Sequence, residues 1–326
     1  MDGAYYLAGV GVVVSFITTL LLTKLWIRAA KRFGLTGKDM NKLNGKQVAE
    51  EGGIAVLFGT VAGIFAYIFF KTFFLKTETH ITLIFAVICS LLFAGFLGFI
   101  DGILGWKKGL KQWQKPFLTL PAAIPLMVLD AGHSTMTLPL IGLVNLGIFY
   151  PLIFVPIGIM GAANGFNMFA GMNGLEAGMG AVILSALGTI ALFTNQPWLA
   201  LIAFATVAAL LAFMLFNKYP AKVFPGDVLT YSVGALIAML AILGNMEKAA
   251  LVLFTPYFIE LVLKARYKFK VESFCTPQPD GTLKVPEKIG SLTHIYAKIF
   301  KTETAAVRAI LATEIILAAI AIFMVI

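Results

Sequence analysis

Residues Ile81–Lys115 read ITLIFAVICSLLFAGFLGFIDGILGWKKGLKQWQK. No charge appears from Ile81 to Ile100, and Asp101 then opens a segment holding Lys107, Lys108, Lys111 and Lys115. An apolar run of about 20 residues is long enough to cross the hydrocarbon core of a bilayer as a helix. The lysines mark the side on which that helix ends, because cytoplasmic loops are enriched in Lys and Arg. The stretch thus predicts a membrane bundle, and it places a carboxylate where an apolar helix meets a basic loop.

The rest of the chain follows the same pattern. Its 326 residues are 60% hydrophobic and only 13% charged, against about 25% charged in soluble domains. Candidate spans lie at 4–27, 53–75, 81–100, 116–131, 147–163, 175–194, 197–216, 228–244, 248–264 and 304–326. Pro121, Pro125, Pro151 and Pro156 interrupt the fourth and fifth. The expected fold is an all-α polytopic membrane protein of about ten transmembrane helices, a single integral domain over 1–326 with its site on cytoplasmic loops. The largest such loop, 265–303, is an insertion whose Pro279-Asp280-Gly281 turn predicts a short β-hairpin. A second small hairpin is expected in the uncharged outer loop 132–146.

Charge fixes the expected orientation. Twenty-one basic residues fall in loops on one side, and Lys71, Lys76 and Lys248 on the other. Both termini are therefore expected outside and the long loops in the cytoplasm. The net charge of +9 has this topological origin first, with attraction of anionic lipid or phosphate as a second effect. Nucleic acid is a poor partner for basic residues scattered over loops between spans. The first span is long and follows no basic residue, which argues against a cleaved signal peptide. Cys89 and Cys275 fall in a span and a cytoplasmic loop, so no disulfide is expected, and the three histidines lack zinc-ligand spacing.

Four cytoplasmic segments carry polar residues that topology alone does not require. GLTGKDMNK, Gly34–Lys42, precedes AEEGG, Ala49–Gly53; a solvated loop with a helix start at Gly52–Gly53 is the plain reading. The second segment holds Asp101 and Lys111, which meet if Gly102 and Gly105 bend the chain. NGFNMFAGMNGLEAGMG, Asn164–Gly180, gathers three asparagines, a glutamate and five glycines where one span ends and another begins. NKYPAKVFPGDVLTY, Asn217–Tyr231, sets Asp227 at a helix start, where N-capping alone would explain it. Together they put carboxylate and amide oxygens, lysines and glycine-rich backbone at one membrane edge. Oxygen donors suit Mg²⁺, which keeps several waters and binds substrate phosphates. The joint reading is phosphoryl transfer with one lipid-linked reactant.

These motifs resemble the polyprenyl-phosphate N-acetylhexosamine-1-phosphate transferase superfamily, over nearly the whole chain from GKDMNK to VFPGD, and most specifically in NMFAGMNGLEAG and NKYPAKVFPGD. The eukaryotic and archaeal branch, which includes the dolichyl-phosphate GlcNAc-1-phosphate transferase, is the nearer one. The bacterial MurNAc-pentapeptide branch has a histidine-rich loop near its end that this sequence lacks. The resemblance implies Asn167 and Asp227 as ligands of Mg²⁺, with Mn²⁺ as an alternative, and Lys111 as the pyrophosphate contact. It implies Asn173 as the reader of uracil and Asn164 as a further asparagine of the same loop. Asp39, Met40 and Asn41 would frame the nucleotide, with Glu50 as an acidic residue nearby. Asp101 would orient Lys111 or take a proton from the lipid phosphate. Two departures stand out. The last cytoplasmic loop lacks the basic, arginine-containing motif of the eukaryotic enzymes, leaving Arg266 and His294, with Lys264, Lys268 and Lys270, as candidate phosphate or sugar contacts. Gly102 stands where the family shows a second, adjacent aspartate.

The implied reaction transfers N-acetylhexosamine-1-phosphate, foremost GlcNAc-1-phosphate, from a UDP-sugar to a polyprenyl or dolichyl phosphate and releases UMP. The implied setting is the plasma membrane of a prokaryote, archaeal by branch, with a homodimer left open. Two rivals are weighed. A transporter should show internal repeats and mid-span polar groups, and the sequence shows neither. A non-catalytic binding relative would follow if Gly102 had disabled the site, and an aspartate restored at 102 would then recover activity.

Overall fold

The computed structural model describes residues 2–43, 45–104, 114–138 and 142–325. Lipid offers no partners to backbone N–H and C=O groups, so apolar segments there must satisfy themselves as helices. Long helices α1 (Asp2–Arg32), α2 (Gly53–Phe70), α3 (Ile81–Ile103), α6 (Val155–Met168), α7 (Leu175–Phe193), α8 (Pro197–Asn217), α9 (Gly226–Gly244) and α13 (Glu303–Phe323) do so. α2 runs on into a wider turn at Lys71–Leu75, and α6 is preceded by one at Tyr150–Phe154. With these turns included, eight helices among the described residues are long and apolar enough to cross a membrane. The protein is an integral membrane protein.

Two of the ten expected spans are not continuous helices. Segment 116–131 breaks into α4 (Gln114–Thr119), a 3₁₀ turn at Leu120–Ala123 and α5 (Ile124–Met127). Segment 248–264 breaks at Phe254 into α10 (Glu247–Leu253) and α11 (Thr255–Ala265). Proline explains both: Pro121, Pro125 and Pro256 lack the N–H that an uninterrupted helix donates, and their rings crowd the preceding turn.

Small antiparallel pairs decorate the loops. β1 (Thr36–Lys38) pairs with β2 (Gln47–Ala49), in a loop that the sequence read as plain coil. β3 (Thr135–Leu138) pairs with β4 (Gly142–Asn145), the hairpin expected in 132–146. β5 (Thr276–Pro277) pairs with β6 (Leu283–Lys284) around the turn at Gly281, whose φ is +81°. The last helix of the large loop is α12 (Leu292–Phe300).

α9 is the centre of the bundle. Every residue from Val228 to Gly244 is buried, and α3 and α6 pack along it. α1 lies at the periphery against α2 and α8 and shows why. Its Val13, Ile17, Leu21 and Leu25 recur every fourth residue and are exposed, a face for lipid. Ser15, Thr19 and Thr23 form the opposite stripe and are fully buried, with Ser15 Oγ donating to Ala205 O at 2.6 Å. Small polar residues let membrane helices approach closely and bond across the contact.

Loop 265–303 is strapped to the end of α11 by one carboxylate. Fully buried Glu260 accepts from Leu292 N at 2.7 Å and from Ser291 Oγ at 2.8 Å, and lies 3.5 Å from Lys264 Nζ. Removing one partner of a buried charged pair costs about 3–5 kcal/mol. Glu260→Ala should therefore lower the midpoint of thermal unfolding of the detergent-purified protein; an unchanged midpoint would show that the strap does not depend on this carboxylate.

Candidate active site at the end of the central helix

The helices deliver their polar residues to one end of the bundle. Gly53 N donates to Pro225 O at 2.8 Å and Gly52 N to Phe224 O at 2.9 Å, which joins the start of α2 to the start of α9. Phe224 N donates to Ala49 O at 2.7 Å, and Ala49 and Val223 form a parallel bridge. α3 comes so near α9 at Gly98 that a Cβ there would overlap the backbone of Asp227 and Val228. This close approach sets Asp101, one turn later on α3, beside the first turn of α9.

A lysine lies between the two aspartates. Lys115 Nζ is 2.7 Å from Asp101 Oδ2 and 3.4 Å from Asp227 Oδ2. Tyr231 OH, one turn along α9 from Asp227, donates to Asp101 Oδ2 at 3.0 Å. The Asp101 side chain is 2% exposed and that of Asp227 25%, so Asp101 is the inner carboxylate and Asp227 the open one. Lys111 lies outside the described residues. The lysine that joins the two carboxylates is Lys115, four residues further on, which the sequence reading counted only among the charges that orient the chain.

α6 fixes this group from the side. Asn164 and Asn167, three residues apart, share a face of the helix. Asn167 Oδ1 accepts from Thr230 Oγ1 at 2.9 Å, next to Asp227 on α9. Asn164 Nδ2 donates to Thr119 Oγ1 at 2.8 Å, on the short helix α4 that carries Lys115. Asn164 thus belongs with the lysine helix rather than with the loop asparagine at 173.

A second cluster is rich in amides. Asn173 Nδ2 donates to Asp39 Oδ2 at 3.0 Å and Asn173 N to Glu303 Oε1 at 2.7 Å. Asn41 Nδ2 donates to Gly171 O at 2.8 Å, and Asn41 Oδ1 accepts from Cys275 N at 3.1 Å. Lys42 pairs with Glu303 and lies 4.0 Å from the Tyr219 ring centre. Met40 is half-buried beside Asp39. Glu303 and Lys42 were not singled out from the sequence, where each looks like an ordinary helix-start or loop charge, and Glu176, which accepts from Gly171 N at 3.0 Å, entered only as the glutamate of its motif.

The remaining candidates are placed as follows. Glu50 is half-buried, and burial raises its pKa above the usual carboxylate value. Its neighbour Glu51 is buried beside Asp227, and burial first, with the Asp227 charge second, pushes its carboxyl well up. His294 is fully buried; its Nδ1 lies 3.3 Å from Gly290 N and its Nε2 3.2 Å from Phe274 O, so both ring nitrogens are committed to the loop. Arg266 is exposed at the end of α11, its guanidinium 5.9 Å from the Tyr267 ring centre. Neither His294 nor Arg266 joins the two clusters through these contacts.

No group of three His, Cys, Asp or Glu side chains among the described residues forms a metal cage. The donors near Asp227 are all oxygens, which fits a hard cation that keeps waters and binds through a substrate diphosphate. An ammonium held between two carboxylates suits stabilising charge on a transferring phosphoryl group.

The profile of Glycosyl transferase family 4 matches residues 84–245. A protein of Saccharolobus solfataricus, provisionally named UDP-N-acetylglucosamine–dolichyl-phosphate N-acetylglucosaminephosphotransferase, is 40% identical over 290 residues, 88% of this chain and 87% of its own. One of the same name from Sulfolobus acidocaldarius is 38% identical over 292 residues, 89% of this chain and 87% of its own. The phospho-N-acetylmuramoyl-pentapeptide-transferase of Streptococcus mutans is 32% identical over 260 residues, 76% of each chain. The matched segment contains Asp101, Lys115, Asn164, Asn167, Asn173 and Asp227, and with likeness of this extent the chain belongs to glycosyl transferase family 4 and is an enzyme of that family.

Proposed function

We propose that the enzyme transfers N-acetylhexosamine-1-phosphate, GlcNAc-1-phosphate in the first instance, from a UDP-sugar to a polyprenyl or dolichyl phosphate, releasing UMP. The observation that carries this reading is the Asp101–Lys115–Asp227 group at the end of a membrane bundle. The names of the two archaeal relatives support the sugar and the carrier. The charge asymmetry of the loops supports a cytoplasmic site with both termini outside.

An oxygen of the lipid phosphate bonds to the β-phosphorus of the UDP-sugar as the bond from that phosphorus to the bridging oxygen breaks. The electron pair leaves with UMP, and one phosphoric anhydride replaces another. Lys115 holds its ammonium against the negative charge that collects on the transferring group. Asp101, held by Tyr231, orients Lys115. A base is not required, since a phosphate monoester with a second pKa near 6 is largely dianionic at neutral pH. Asp227 and Asn167 would hold Mg²⁺ through their oxygens, and the bound ion would supply charge neutralisation at the diphosphate. Asp39 accepts from the NH₂ group of Asn173, whose amide oxygen would accept the N3–H of uracil.

UMP release by purified protein, given UDP-GlcNAc, a short polyprenyl phosphate and Mg²⁺, tests this reading. Lys115→Ala and Asp227→Ala should each lower the rate by ~100-fold or more, the loss typical of a group that stabilises transition-state charge. Chelation by EDTA should abolish release and added Mg²⁺ restore it. Near-normal release from either variant would remove that residue from the site, and a larger loss in Lys111→Ala than in Lys115→Ala would return the role to Lys111.

Asn164→Ala should leave the KM for UDP-GlcNAc within about twofold and lower kcat by roughly tenfold, since it loosens the lysine helix and not the nucleotide cluster. A raised KM at unchanged kcat would instead place Asn164 in nucleotide binding.

A further inference from the structure

Glu51 sits between the two aspartate-bearing elements in a way that the reaction above does not use. It lies in the turn between β2 and α2 with φ of +54°, a left-handed conformation that side chains other than glycine rarely adopt. It is only 6% exposed. Its carboxylate fills a gap bounded by two glycines. A Cβ on Gly102 would lie within 3.0 Å of both carboxylate oxygens, and a Cβ on Gly226 would lie equally close to the same two atoms. Gly102 directly follows Asp101 and Gly226 directly precedes Asp227. The gap is one carboxylate wide, and it opens onto the start of α9, where Val228 N lies 3.5 Å from Glu51 Oε2.

Helix capping alone is a weak account of this arrangement. The N-cap position of α9 is Pro225, which offers no side-chain bond, and a Ser, Asp or Asn there would cap without burying a glutamate. The backbone bonds from Phe224 N to Ala49 O and from Gly52 N to Phe224 O clamp the chain on both sides of Glu51, so its placement is built in.

We propose that Glu51 is the second acidic group of this site, a positioning residue for Asp227 that stands in the space an aspartate at position 102 would need. The inference rests on the proposed phosphotransfer reading. It makes the absence of an acid at Gly102 an exchange between two chain segments rather than a loss. Carboxylates at 51 and 102 exclude one another: an aspartate at 102 must displace the Glu51 carboxylate from a gap that Gly226 closes on the far side.

Four variants of the full chain test the exchange in detergent: Glu51→Gln, Glu51→Gly, Gly102→Asp, and Glu51→Gly with Gly102→Asp. Three readouts apply, namely the thermal unfolding midpoint, Mn²⁺ affinity by electron paramagnetic resonance, and the Mg²⁺ dependence of UMP release. Glu51→Gln keeps the shape, so the midpoint should hold, while Mn²⁺ affinity falls and the Mg²⁺ requirement rises, each about tenfold, the lower end of losses on removing partners of a metal ligand. Gly102→Asp alone should lower the midpoint and release UMP no faster than the parent. The double variant should exceed both of its single parents in rate and Mn²⁺ affinity. Glu51→Gln with parental Mn²⁺ affinity and Mg²⁺ dependence would reduce Glu51 to packing, and a fully stable, fully active Gly102→Asp would refute the shared gap. If the parent protein released no UMP, the phosphotransfer reading would fall, and the Mn²⁺ and unfolding measurements would still decide the role of Glu51.

Discussion

The ion pairs of Lys115 with Asp101 and Asp227 are the interaction on which the arrangement of this end of the bundle depends. A buried charge is tolerated only when it is paired and hydrogen-bonded. Asp101 meets that condition with Lys115 and Tyr231, which come from different helices. Breaking such a buried pair costs about 3–5 kcal/mol, a large share of a typical domain's stability. The requirement brings α3, α4 and α9 together, and it is met only because Gly98 lets the α3 backbone come against the first turn of α9. Chemistry and packing therefore constrain the same few residues.

The two polar clusters differ in a way that suits two tasks. Around Lys115 the groups are charged, few and graded in exposure, from buried Asp101 to open Asp227. Around Asn173 two amides, Asn41 and Asn173, are held by backbone atoms and by the carboxylates of Asp39 and Glu303. On the proposed reading the first cluster meets the charge that develops during transfer and the second meets the uridine base. α6 links the parts, since Asn164 and Asn167 on one face reach α4 and α9, and the loop after its C-terminus carries Asn173.

Much of this was legible in the sequence, because membrane spans are set by length and composition alone. The eight continuous helices, the α2 start at Gly53 and the hairpins in 132–146 and 265–303 all follow from local pattern. Two expected spans are broken rather than continuous: Pro121 and Pro125 already mark the interruption of 116–131 in the sequence, whereas Pro256, which interrupts 248–264, was not weighed there. Lys115 was hidden because lysines in one basic loop look alike, and only a fold that joins residues more than a hundred positions apart separates them. Glu51 was hidden for the same reason. AEEGG reads locally as a helix start, and the signal that singles out its second glutamate is the glycine at 102, half the bundle away in sequence.

The same end of the bundle collects the N-termini of α2, α7 and α9, and none of the three has a side-chain cap. Several first-turn amides are answered within the fold, Gly53 N by Pro225 O and Ala55 N by Gly52 O, and what the three termini share is the positive end of the helix dipole. Glu51, Glu176 and Asp227 lie at or beside these termini, so carboxylates partly answer this positive end in the protein alone. On the proposed reading, a diphosphate entering here meets the positive ends of these helix dipoles. It also meets acids that repel it unless a cation stands between them. On the proposed reading, the acids gathered at these helix ends set the condition that a cation accompany an anionic substrate.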